Sequence, residues 1–304
     1  MIDSSGSKKE RGESLAAGEP VTQFTTMGGP QRRFRFRQAD TGQTMKMRSV
    51  SVAASNPPCL PMPFSPGDNI YLGHMRLHAI RGGKIEDLEA RKFNIGVGVS
   101  LGSKWFTSEH IVEQVKWALQ WTRDVVTIYI ADRIHAINLQ ARNDLGPESA
   151  TRRALQDGER ISERVSSAIL ENFGEAERAR IVIARWDDID TSNYRARVNL
   201  LYDEFRNNSE FRDRIKEIVR NFVGKEGRRF SEKKIELLST YILEELPELA
   251  GRVEIRGNLC DAYTTPYDSP ITVLVEQIQS GRCFENLTQD LLAGQPPKVM
   301  LEVR

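Results

Sequence analysis

Apolar and polar positions alternate along residues 94–107, NIGVGVSLGSKWFT, in a pattern that predicts a buried strand running into a turn and then a helix. Ile95, Val97 and Val99 mark one face of that strand, with Gly96 and Gly98 between them. Glycines so placed suit a backbone that another group approaches closely, a substrate being one candidate. Thr107 can cap the helix that follows, where Ile111, Val115, Ala118 and Leu119 recur at helical spacing. The continuous β-branched run from Val125 to Ala131 predicts a central parallel strand. Further on, the pattern predicts a helix from about Pro147 to Phe173, a short strand from Arg180 to Ala184, and a helix from about Tyr194 to Val223 that breaks near Asn207 and Asn208. Another helix is expected from Glu232 to Leu246, stopped by Pro247. The tail adds a strand near Val253–Ile255, a helix opening with Ser269 as cap and Pro270 at its first position, and a last strand from Val299 to Val303. From about residue 67 the whole is an α/β layer fold with parallel strands.

Residues 1–60 break this rhythm. They are rich in Ser, Gly, Lys, Gln and Thr, close on Pro57, Pro58, Pro61 and Pro63, and are expected to form a disordered extension to a catalytic domain over 67–304. Within them QRRFRFR (31–37) reads first as a solvated linker with a small sticky patch, and as the alternative it offers charge and stacking faces to RNA. Lys and Arg number 43 against 42 Asp and Glu, so a nucleic-acid partner must be held by local patches. Cys59, Cys260 and Cys283 are too widely spaced for a zinc ribbon or a secreted disulfide framework, so no metal is expected and a reducing cytoplasm fits best. No stretch of 18 apolar residues is present, which leaves a membrane partner without support.

Gly98-Val-Ser100-Leu-Gly102 matches the Gly-x-Ser-x-Gly elbow, in which a sharp turn presents a serine hydroxyl beside backbone amides able to hold an oxyanion. The same five residues also fit a glycine-rich turn without chemistry. An α/β-hydrolase would place its histidine far beyond the serine, whereas the four histidines here are His74, His78, His110 and His135. Ser100 therefore needs either an already activated substrate or proton transfer by Tyr, Glu or Lys. Tyr241 and Glu245, at i and i+4 on one predicted helix, supply such groups, and Leu238 and Ile242 would turn that face inward.

Taken together, these residues resemble the tRNA-dependent cyclodipeptide synthases. GVSLGSKWF (98–106) is similar to the family's serine elbow, with Ser100 at the nucleophile. Tyr194, in TSNYRARVNLLYDEF, matches its pocket tyrosine; Tyr241 and Glu245 match its Tyr and Glu pair; and DSPIT (268–272) matches its DTPIT-like stretch. The resemblance covers roughly residues 90–285 and implies a Rossmann-type parallel sheet flanked by helices, similar to the catalytic domain of class I tyrosyl- and tryptophanyl-tRNA synthetases, without ATP activation or another cofactor. It implies aminoacyl-tRNAs as substrates and a ping-pong route to a 2,5-diketopiperazine through esters on Ser100. Tyr241 and Glu245 would bind the ammonium group of the first substrate, and Tyr194 or Glu245 would assist proton transfer. Gly98, Gly102, Ser103, Tyr263, Tyr267 and Glu248 are the implied substrate contacts. Enzymes that tailor the diketopiperazine are the further partners such a product invites.

Some positions depart from the family pattern. Ser103 stands where one branch has Asn, and Thr265 where many relatives have Tyr, so Tyr263 would have to substitute. The helix at 147–173, basic in bacterial relatives, has Arg152, Arg153, Arg160 and Arg164 but also Glu159 and Glu163. Glu248 stands where relatives are apolar, and an unpaired buried carboxylate calls for a cationic partner. Arginine is thus the expected first amino acid, with lysine next and Asp187 or Asp188 as a second acid; a solvated Glu248 beyond the helix end is the alternative. A non-catalytic RNA-binding protein on the same fold is the competing reading of the whole chain.

Overall fold

The alternation at Ile95–Ser100 becomes one strand of a seven-stranded sheet. The computed structural model describes residues 71–72, 75–227, 230–265, 269–292 and 294–304, all within the unit Pro58–Arg304. The expectations for residues 1–60, the arginine-phenylalanine segment among them, lie outside the described residues, as do those for His74, Tyr267 and Asp268. In chain order the elements are β1 (Tyr71–Leu72), β2 (Met75–Arg81), α1 (Ile85–Glu89), β3 (Ile95–Ser100), α2 (Ser108–Trp121), β4 (Val126–Ala131), α3 (His135–Asn143), α4 (Pro147–Asn172), α5 (Glu175–Arg178) and β5 (Ile181–Arg185). They continue as α6 (Trp186–Ile189), α7 (Ser192–Asn207), α8 (Ser209–Gly227), α9 (Glu232–Ala250), β6 (Val253–Ile255), β7 (Asn258–Cys260), β8 (Ala262–Thr265), α10 (Pro270–Gln279), α11 (Glu285–Leu292) and β9 (Val299–Val303).

The sheet order is β1-β2-β9-β8-β3-β4-β5. Strands β9, β8, β3, β4 and β5 run parallel, and β2 joins β9 antiparallel at the edge, with β1 antiparallel beyond it. From β3 the chain moves outward through β4 to β5, then returns to lay β8 and β9 on the other side. The order therefore reverses between β3 and β8, and a crevice beyond their carboxyl ends is where open α/β sheets bind ligands. Buried Asn94 fixes the opposite ends of these strands: its side chain accepts from the amides of Asp124 and Val125 and donates to the Leu259 carbonyl, while its amide donates to Asp261.

Two cores lie on the two faces of the sheet. Ile95, Val97 and Val99 pack with α2 and α4, around Ile111, Val115, Trp117, Val165 and Ile169. Tyr129, Ala131 and Met300 pack with α7, α8, α9 and α10 on the other face. Four helices start at a polar cap: the side chains of Thr107, Thr191, Ser231 and Ser269 accept the amides of His110, Tyr194, Lys234 and Thr272. The predicted break at Asn207–Asn208 separates α7 from α8.

One boundary differs. Pro247 does not end its helix, which runs on to Ala250. Proline removes one amide donor, but Leu246, Leu249 and Ala250 are all buried and the Gly251 amide closes onto the Pro247 carbonyl. Glu248 is therefore a helical, buried residue and not a solvated one beyond the end.

Candidate active site

Alternation along β3 assigns its residues to faces. Since Val97 and Val99 belong to the α2–α4 core, Gly96, Gly98 and Ser100 look toward the α9 face. Ser100 ends the strand opposite Ala131 of β4 and is half-buried, at the point where the sheet order reverses. Gly102 follows at φ +81, a left-handed conformation that favours glycine, and turns the chain away from the strand. The close approach expected over the strand glycines is made by the protein itself. A Cβ on Gly98 would lie 1.7 Å from the Tyr263 hydroxyl, and one on Gly96 2.4 Å from the Tyr129 ring. These two rings stack at 6.0 Å between centroids, so tyrosines fill the space that the sequence alone left open to a substrate.

Above them α9 carries Tyr241, buried, and Glu245, half-buried. Among the described residues Glu245 has no hydrogen-bond or ion-pair partner, and burial, joined by the Glu248 carboxylate, pushes its pKa up to about 8. Glu248 is not a free acid. Lys298, fully buried just before β9, places Nζ 2.6 Å from its Oε1, and the same ammonium lies 5.7 Å and 6.0 Å from the Tyr129 and Tyr263 ring centroids. Burial chiefly raises both tyrosine pKa values far above the usual range, followed by Cys260 and then the Glu248 carboxylate at Tyr129, and by the Glu248 and Glu245 carboxylates at Tyr263. The cluster thus joins Tyr241, Glu245 and Glu248 on α9 to Tyr129 on β4, Tyr263 on β8 and Lys298 at the start of β9.

The other expected residues divide. Tyr194 is buried edge-on against Trp186, and its hydroxyl donates to the Glu244 carbonyl with the Glu244 carboxylate 3.3 Å away. It is thereby engaged with Glu244, one residue before Glu245, and burial raises its pKa beyond any useful proton-transfer range. Glu244 also meets Arg195 at 3.0 Å and Tyr202 at 3.4 Å, and Arg195 in turn grips Asp190. Ser103 is exposed on the turn after Ser100. Arg152, Arg153, Arg160 and Arg164 all stand exposed on α4, with Asp157 pairing both Arg153 and Arg160 at 2.9 Å and 3.2 Å. Asp187 and Asp188 are likewise occupied, by Arg133 and by Arg256.

Sequence reasoning missed Lys298, Tyr129, Glu244 and the proximity of His135. The His135 ring packs 3.3 Å from where a Gly102 Cβ would stand, and burial lowers its pKa, so it is neutral near pH 7. A charge directly before the apolar run of Val299–Val303 was the available signal for Lys298. Among the described residues no group of three or more His, Cys, Asp or Glu is placed to hold a metal ion, and no helix is long and apolar enough to cross a membrane.

Residues 86–262 match the family model for cyclodipeptide synthase. No curated protein matches the chain by sequence. Among solved structures, a cyclodipeptide synthase from Fluoribacter dumoffii is 15% identical with a TM-score of 0.55, over 74% of this chain and 97% of that one. A Mycobacterium tuberculosis protein, said to demonstrate that cyclodipeptide synthetases are related to type I tRNA synthetases, is 16% identical with a TM-score of 0.55, over 75% of this chain and 91% of that one. A cyclodipeptide synthase from Bacillus thermoamylovorans is 14% identical with a TM-score of 0.55, over 74% of this chain and 95% of that one. At such identities the likeness to these structures is one of fold.

Proposed function

The chain belongs to the cyclodipeptide synthase family, matched over residues 86–262, and on that premise we propose that it condenses two aminoacyl-tRNAs into a 2,5-diketopiperazine through esters on Ser100, with residues 67–304 as the catalytic unit. The observation that supports this reading is the position of Ser100 at the carboxyl end of β3, beside the reversal of strand order and on the face turned toward α9.

In the first step the Ser100 hydroxyl attacks the ester carbonyl of one aminoacyl-tRNA. The bond from that carbonyl to the ribose oxygen breaks, and the ribose leaves with the proton. An aminoacyl ester is activated already, so no ATP is needed and a strong base is not required. The amine of the enzyme-bound aminoacyl group then attacks the ester carbonyl of the second aminoacyl-tRNA; the bond from that carbonyl to the ribose oxygen breaks, the second tRNA leaves with the amine's proton, and the ester on Ser100 becomes a dipeptidyl ester. The free amine of that dipeptide attacks the Ser100 ester, closes the six-membered ring and returns the hydroxyl.

Glu245 suits two roles in this scheme. As a carboxylate it holds the substrate ammonium with Tyr241, and with a pKa of about 8 it exchanges a proton near neutrality when the amine must become a nucleophile. Glu248 does not call for a cationic amino acid, because Lys298 already neutralises it at 2.6 Å, and Asp187 and Asp188 have partners of their own. The grounds for arginine as the first residue are thereby removed, and the reading commits to no first side chain. Arg152, Arg153, Arg160 and Arg164 on α4 are the proposed phosphate contacts. Mass spectrometry of medium from overproducing cells tests the proposal in a cytoplasmic setting. A diketopiperazine made by the parent and not by Ser100→Ala is expected. A parent that binds aminoacyl-tRNA yet releases no such product would favour the non-catalytic RNA-binding alternative.

A further inference from the structure

Acyl transfer to a serine divides the substrate at one bond. The acyl group stays on one side of the nucleophile, and the leaving group must be accommodated on another. On the α9 side of β3 the space next to Gly96 and Gly98 is filled by tyrosines, and Glu245 offers a partner to an ammonium. On the other side Ser100 borders an open cavity of about 460 Å³, between the turn after β3, the start of α2 and the middle of α4. Its volume falls within the roughly 300–1000 Å³ of small-molecule sites.

The lining has a definite chemistry. Phe106 and Ile161 are half-buried apolar surfaces, and Arg164 is exposed and fastened to the turn by an Nη2 bond of 2.9 Å to the Phe106 carbonyl. At the start of α2 an anion would normally be welcome, but Glu109 already sits there. Its pKa is held low, chiefly by its own backbone amide and then by the Thr107 hydroxyl. A phosphate is therefore directed away from the helix start and toward Arg164, while Glu109 remains an acceptor for an amino or hydroxyl group. An apolar face for a base, a guanidinium for a phosphate and a carboxylate acceptor describe a nucleotide site next to the nucleophile.

Resting on the cyclodipeptide synthase reading, we infer that this cavity seats the 3′-terminal adenosine of the aminoacyl-tRNA, the leaving group of the first acyl transfer. The Ser100 Oγ–carbonyl bond forms, the carbonyl–ribose oxygen bond breaks, and the ribose hydroxyl departs from this cavity with the proton from Ser100. The base lies against Phe106 and Ile161, and Arg164 takes the phosphate on its 5′ side.

The experiment compares two acyl donors in single-turnover labelling of Ser100, followed by intact-protein mass. One donor is aminoacyl-tRNA and the other is the dinitrobenzyl ester of the same amino acid, which carries no nucleoside. Ile161→Trp fills the cavity, and Phe106→Ala removes the stacking face without filling it. Each should raise the half-saturating concentration of aminoacyl-tRNA by about tenfold or more, the worth of one stacked base, and leave labelling by the small ester unchanged. Adenosine 5′-monophosphate should compete with aminoacyl-tRNA on the parent protein. Equal loss with both donors overturns the inference, as does no loss with aminoacyl-tRNA. Normal labelling with loss only of dipeptide formation also overturns it, by giving the cavity to the second amino acid. A parent labelled at Ser100 by neither donor refutes instead the reading on which the inference rests.

Discussion

Replacing Lys298 by methionine keeps the apolar stem of a fully buried side chain and deletes its charge. Glu248 would be left with 3% of its side-chain surface exposed and without the ammonium that lies 2.6 Å from it. Such a carboxylate must fold in its neutral form. Protonating a carboxyl of ordinary pKa ~4.3 at pH 7 costs about 3.7 kcal/mol, at about 1.36 kcal/mol per pH unit. That agrees with the roughly 3–5 kcal/mol lost when one member of a buried ion pair is removed. The variant should therefore lose about 3–4 kcal/mol in urea unfolding at pH 7. Its Glu248 has a folded pKa above the unfolded one, so the protonated form is stable in acid and the penalty grows as pH rises above the unfolded value. The gap to the parent should accordingly narrow to about 1 kcal/mol or less near pH 4.5. Glu248→Leu combined with Lys298→Met removes both charges, and it should recover most of the loss. A single variant that loses less than about 1 kcal/mol at pH 7, a gap that does not change with pH, or a double variant no better than the single one would refute the reasoning.

Gly98→Ala pushes a methyl group into the Tyr263 hydroxyl, 1.7 Å from its ideal position, and should cost about 1–3 kcal/mol by overpacking. Adding Tyr263→Ala should make the pair of changes clearly less than additive; strict additivity in denaturant titrations would show that the two positions do not meet. For Glu245 the folded pKa of about 8 stands above the ordinary carboxyl value of 4.5, so its contribution is present below about pH 4.5 and is lost as pH rises through about 8. Glu245→Gln should flatten the pH–stability curve over that window, and curves that stay parallel to the parent would contradict the assigned shift. Asp157→Asn frees Arg153 and Arg160, so tRNA binding should tighten and its log–log salt slope steepen by about one to two. An unchanged slope would remove α4 from the tRNA contacts.

The parts of the fold that were legible in the sequence are those with a local cause. Thr107 and Ser269 announce their helices by side-chain capping, Asn207–Asn208 marks a break because Asn208 leaves the helix with an extended backbone, and the Val125–Ala131 run is apolar enough to be a central strand. The end of α9 was not legible, because burial of Leu246, Leu249 and Ala250 overrides the local effect of Pro247. Nor was β8, a four-residue strand whose place beside β3 depends on Asp261 and Asn94, far apart in sequence, closing on each other. Within the candidate site, Ser100 and the Tyr241–Glu245 pair could be picked out because one turn and one helical spacing define them. The partner of Glu248 could not. Lys298 is 50 residues away and reaches it only through the parallel pairing of β8 with β9. That distance is why an acid that is paired in the structure read as one awaiting a cationic substrate.

The central claim is that Ser100 carries the growing product as an ester. Intact-protein mass spectrometry after acid quenching of the parent with one labelled aminoacyl-tRNA measures it directly. A mass increase of one aminoacyl residue is expected, mapped to the peptide containing Ser100, absent in Ser100→Ala and discharged as a diketopiperazine when the second aminoacyl-tRNA is added. Label located on another residue, or an equal mass increase in Ser100→Ala, would contradict it.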